Sequence, residues 1–162
     1  MKILYIIDGE KYKYHSDLVG QFLDITGGEV LDIPDDDMRQ MRFGEVRDAG
    51  ADVIVTFDGV GLDFRTVSDT MSLNNLYARM AHILFHNPSF YDRTLFRRQN
   101  LSMFTYIPSS EDTKAFSDKY PEIPNIRNFE ECYYKADSNE EREVNAAAIR
   151  NWWDGFRKEV ML

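Results

Sequence analysis

The chain has 162 residues, of which 43 % are hydrophobic and 14 % aromatic, which suits one domain with its own core and excludes a mainly disordered polymer. Acidic residues outnumber basic ones 28 to 19, giving a formal charge of −9, and the one short basic cluster, Arg93, Arg97 and Arg98, argues against binding to nucleic acid. A mean hydropathy of −0.47 without a long apolar run argues against a membrane span, and the opening MKILYIIDGE lacks the length and cleavage site of a signal peptide, so a cytoplasmic location is expected.

In chain order, residues 2–7 (KILYII) form a near-continuous isoleucine-rich run, the pattern of a strand buried on both faces. From Ser16 the spacing of Leu18, Val19, Phe22 and Leu23 becomes helical and stops at Gly27-Gly28. Residues 29–33 (EVLDI) read as a second strand. Asp35, Asp36 and Asp37 then precede a helix with Met38, Met41, Val46 and Ala49 on its apolar side. Residues 52–57 (DVIVTF) carry the strongest strand signal. The order β-α-β-α-β with short turns predicts a parallel sheet joined by right-handed crossovers.

Further on, Leu73, Leu76, Tyr77 and Met80 predict a helical stripe, and strands are expected over 82–85, over 101–107 and within 123–129. Ser109 with Asp112 caps a helix running to Lys119, and Ser138 with Glu141 opens a long final helix over about 139–160, striped by Val144, Ala148, Trp152, Phe156 and Val160. One of the paired Trp152 and Trp153 is expected to be packed and the other partly exposed. The expected architecture is therefore one three-layer Rossmann-like or flavodoxin-like domain over 1–162, its mainly parallel sheet having five or six strands.

Such sheets bind ligands beyond the carboxyl ends of their strands. Four loops are expected there: Asp8-Gly9-Glu10, Asp58-Gly59-Val60-Gly61, His86-Asn87-Pro88 and Pro108-Ser109-Ser110. Asp8 and Asp58 each end a strand before a glycine, as a carboxylate pair facing a ligand would, although Asp-Gly is also a good turn. GVGLDF lacks the third glycine of a dinucleotide fingerprint, no phosphate loop of flavodoxin type follows the first strand, and no cofactor is expected. His82 and His86 would lie roughly 6 Å apart along a helix but roughly 13 Å along a strand. The run Ile83-Leu84-Phe85 and the Asn87-Pro88 stop favour the strand, so no metal is expected, and His86 is the best catalytic candidate as a general base or hydrogen-bond donor. Cys132, the single cysteine, is expected to be a buried or incidental thiol.

The segments DVIVTFDGVG, HILFHNPSFYDRTL and LSMFTYIPSSEDTKAFSDKYPEI together resemble the N-terminal domain of a bacterial group of GT-B glycosyltransferases that includes spore-associated members; the resemblance spans about residues 50–130. It implies that His86, Asn87, Pro88, Phe90, Tyr91 and Asp92 border an acceptor-side cleft. The donor-binding second domain of such enzymes does not fit in 162 residues, so the resemblance implies either part of such a glycosyltransferase or a relative without catalysis that acts by binding a sugar or glycan, or a catalytic partner protein. The first and third apolar runs, MKILYIIDGE and ADVIVTFDGVG, are also similar to strands of response-regulator receiver domains, which would make Asp58 a phosphoacceptor and Asp8 a metal-binding acid. A third expectation, from charge alone, is an acidic module that occupies a basic partner. The candidate ligand-binding set is Asp8, Gly9, Asp58, Gly59, Gly61, His86, Asn87, Tyr91, Asp92 and Ser109.

Overall fold

The computed structural model of the chain describes residues 1–10, 16–65, 72–86 and 103–161. Six strands, β1 (Ile3–Ile7), β2 (Glu29–Asp32), β3 (Val53–Phe57), β4 (Arg79–Ile83), β5 (Met103–Pro108) and β6 (Ile126–Phe129), form one sheet in the order β2-β1-β3-β4-β5-β6. Every pairing is parallel. The four helices are α1 (Ser16–Thr26), α2 (Phe43–Asp48), α3 (Ser110–Lys119) and α4 (Asn139–Val160). This is the α/β Rossmann-like or flavodoxin-like class that the alternating pattern predicts. Among the described residues, no helix is long and apolar enough to cross a membrane.

The central strands are apolar on both sides because both sides are covered. β3 and β5 are buried along their whole lengths. On one face Phe22 of α1 lies 5.0 Å from Phe57, 5.9 Å from Phe129 and 5.4 Å from Trp152 of α4, so a single ring joins two helices to two strands. α1 and α4 pack together there. Right-handed crossovers carry α2 and α3 over the opposite face, where Phe116 closes on Leu84 and Ile107. Gly28 is needed at the foot of β2: a Cβ there would come within 2.4 Å of the Tyr5 ring.

Both predicted caps form. Ser109 Oγ accepts from the Asp112 amide at 3.3 Å and Ser138 Oγ from the Glu141 amide at 3.1 Å. Three elements differ from the expectation. Met38 and Met41 are exposed, because residues 39–42 form a 3₁₀ turn that sends Arg39 inward, and the α-helix begins only at Phe43. The stripe at Leu73, Leu76, Tyr77 and Met80 is not one helix. A 3₁₀ turn (Ser72–Asn75) gives way to β4, whose pairing with β3, Val53 opposite Arg79 through Phe57 opposite Ile83, takes Met80 into the sheet and leaves Tyr77 in solvent. β4 thus starts three residues before the expected 82. In α4 Val144 is exposed while Trp152 and Trp153 are both buried, because α4 lies across the sheet face and packs two adjacent positions.

Candidate functional site

The chain leaves β1 for β2 on one side and returns to β3 on the other, so the order reverses between β1 and β3. Ligand crevices form at such a point, beyond the carboxyl ends of the strands. Asp8 stands there at the end of β1, but it is only 4 % exposed, and its Oδ2 accepts from Arg39 Nη2 at 3.1 Å. The same guanidinium donates to the carbonyls of Pro34 and Ile33 and pairs with Asp63 at 3.4 Å. Gly9 is held by its own neighbour, its amide donating to Asp32 Oδ1 at 2.8 Å, and a Cβ at 9 would lie 2.9 Å from the Asp32 carboxylate. The β1 side of the switch point is therefore filled by an internal ion-pair network with Arg39 at its centre.

The loop after β3 turns tightly. Val60 donates to Phe57, Leu62 to Gly59 and Phe64 to Gly61. Gly59 and Gly61 hold φ of 82° and 84°, which this run of turns requires, and Val60, Leu62 and Phe64 are driven into the core. The glycines serve the fold here, and the loop is not shaped as a phosphate cradle. Asp58 itself adopts φ 49°, a left-handed conformation that aspartate tolerates. Its amide donates to Ile83 O at 3.0 Å and its Oδ1 accepts from the Phe85 amide at 2.9 Å, which clamps the ends of β3 and β4 together.

Directly beyond lies His86. The Tyr134 hydroxyl donates to the Phe85 carbonyl, and its Oη lies 3.1 Å from His86 Nδ1. With the phenol proton directed to the carbonyl, this contact requires Nδ1–H as donor, which puts the imidazole's basic lone pair on Nε2. Burial, then the Asp58 charge, holds the Tyr134 phenol above its ordinary pKa. Asp58, His86 and Tyr134 thus gather at one end of the sheet. Nothing in the sequence pattern pointed to Tyr134 or Arg39, which reach these positions from segments remote in the chain.

The remaining candidates separate from this cluster. Ser109 is engaged as the α3 cap, with φ 70°, and the Glu111 and Asp112 carboxylates in the first turn of α3 oppose an anion there. Asn87, Tyr91 and Asp92 lie outside the described residues, as do Pro88, Ser89 and Phe90. His82 lies inside β4 rather than near its start, fully buried between Thr56 and Thr105 of the neighbouring strands, with Nδ1 3.5 Å from Thr105 Oγ1. Among the described residues no group of three or more His, Cys, Asp or Glu is placed to hold a metal. Cys132 is half-buried, and burial pushes its thiol up to about 12, so it stays protonated at neutral pH.

Burial likewise holds the phenols of Tyr5 and Tyr106 above the ordinary value of 10.0. Folding then keeps protons that the unfolded chain releases. These groups contribute their full stabilisation below pH 10 and lose it as pH rises toward their folded values, Cys132 acting the same way from its ordinary 9.0 upward. Urea midpoints measured from pH ~8 to ~11 should fall on the alkaline side. A flat profile would mean that these groups ionise as readily folded as unfolded.

The fold and the end-of-sheet cluster define a Rossmann-like α/β domain with its polar residues gathered at the strand ends. No family model, curated protein or solved structure matches the chain.

Proposed function

We propose that the chain is a binding domain of the glycosyltransferase N-terminal kind, taking a sugar or glycan on the β3–β4 side of the carboxyl edge and acting without catalysis of its own. The observation that carries this reading is the grouping of Asp58, Tyr134 and His86 beside a switch point already closed by Arg39. Among the described residues, the carboxylates of Asp8, Asp32, Asp35, Asp58 and Asp63 outnumber the guanidiniums of Arg39 and Arg42 beside them, a balance that favours a neutral hydroxyl-bearing acceptor over a nucleotide diphosphate.

In an amide NMR titration with neutral glycans and with nucleotide sugars, the glycans should shift residues 58–61 and 84–86. His86→Ala should weaken binding roughly three- to tenfold, the scale of one hydrogen bond, with the melting temperature little changed. Asp58→Ala is a poor probe, because it removes the acceptor of the Phe85 amide and should cost about 1–3 kcal/mol of stability; Asp58→Asn keeps that bond. A spectrum silent to every glycan would overturn the reading.

Strand order and the position of Asp58 at the end of β3 favour a second reading, a receiver-like signalling domain. Its chemistry calls for a lysine after β5, where Ser109 and Ser110 stand, and for a metal beside Asp8, which carries Arg39. Magnesium with a beryllium fluoride phosphoryl mimic would perturb the Asp58 amide in a working receiver, and an unmoved amide would dismiss it.

A further inference from the structure

Away from the strand ends, a cleft of about 230 Å³ opens between the edge strand β6 and the C-terminal half of α4. Its wall includes Tyr106 and Trp152, and its rim includes Arg127, Asn128, Asn151 and Glu159. Two features mark it as more than a packing gap. Trp152 is 5 % exposed, and its indole N–H is buried without a hydrogen bond. Burying a donor in that condition is unfavourable, and native proteins rarely leave one without a reason. The Tyr106 hydroxyl lies beside that N–H, yet the two do not meet in normal hydrogen-bond geometry.

The second feature is Gly155, one turn from Trp152 in mid-helix, where a Cβ would meet nothing within 4 Å. Glycine weakens a helix interior. Gly155 lines the cleft, and a side chain there would extend from open space at its edge.

We propose that this cleft binds a small, neutral, hydroxyl-rich molecule. An acceptor oxygen on the ligand takes the Tyr106 O–H and draws the phenol oxygen into line with the Trp152 N–H, which satisfies both donors at once. The rim matches the rest of such a molecule. Arg127 and Glu159 hold each other through two 3.1 Å contacts, Asn151 donates to Glu130 at 3.0 Å, and amides and carboxylates together offer donors and acceptors to hydroxyls. Two carboxylates against one guanidinium oppose phosphate and other anions. The volume holds a handful of waters at about 30 Å³ each, or one six-membered ring with its substituents. The proposal is independent of the end-of-sheet reading, since it uses none of the same residues.

Trp152 and Trp153 are the only tryptophans, so the indole region of an amide NMR spectrum holds two side-chain signals, and Trp152→Phe identifies the relevant one. Titration with myo-inositol, glucose and N-acetylglucosamine, with inorganic phosphate as the anionic control, should move the Trp152 indole saturably for at least one neutral probe. Tyr106→Phe should weaken that response roughly three- to tenfold. Gly155→Leu should abolish it while leaving the melting temperature unchanged or higher, because leucine is the better helix former. An indole unmoved by every neutral probe, a stronger response to phosphate, or an undiminished response in Gly155→Leu would each overturn the proposal. Shifts confined to residues 58–61 and 84–86 would do so too, while leaving the end-of-sheet reading intact.

Discussion

Replacement of Arg39 by methionine should destabilise the protein by about 3–5 kcal/mol, the scale seen when one member of a buried ion pair is removed. The Arg39 and Asp8 side chains are 10 % and 6 % exposed, so solvent does little to screen the charge that remains. Methionine keeps most of the apolar stem but removes the guanidinium from Asp8 and from the Pro34 and Ile33 carbonyls. In urea this should appear as a lower midpoint at an unchanged slope. Adding Asp8→Asn should recover part of the loss, since a neutral amide is cheaper to bury than an unneutralised carboxylate. A loss under about 1 kcal/mol, the range of exposed pairs, would mean that water reaches the β1 side of the switch point and that Asp8 is available to a ligand after all.

Phe22→Ala should cost a similar amount, about 3–5 kcal/mol, for a different physical reason. Phe22 is fully buried and touches rings from β1, β3, β6 and α4. Truncation removes the transfer free energy of the ring and leaves a cavity that rigid neighbours cannot close, because Tyr5, Phe57, Phe129 and Trp152 are each held by further aromatic contacts or strand pairing. Phe22→Leu should recover most of the loss by refilling the volume. Comparable urea midpoints for Phe22→Ala and the parent chain would show that α1 and α4 are not joined through this residue.

Much of the architecture was legible because periodicity and termini are local properties. The runs ending in Ile7 and Phe57 alternate with amphipathic segments, and that alternation needs parallel strands with covered faces. The caps at Ser109 and Ser138 were legible for the same reason, since the hydroxyl and the amide it caps lie three residues apart. The region from 72 to 83 was misread because Leu73, Leu76 and Met80 also fit a helical stripe, and only pairing with β3 turned that stripe into a strand.

At the strand ends, sequence alone determined which residues were candidates: aspartates before glycines, a histidine after an apolar run, and loops that a parallel sheet brings to one edge. Tertiary structure decided what each does. Asp8 and Asp58 look alike in sequence, but Arg39, 31 residues beyond Asp8, neutralises the first, whereas the second clamps β4 through the Phe85 amide. His86 acquires its orientation from Tyr134, 48 residues away. A residue's neighbours along the chain determine its backbone conformation and turn type; the charge, hydrogen bond or ring that meets its side chain comes from elsewhere in the chain, and only folding brings the two together.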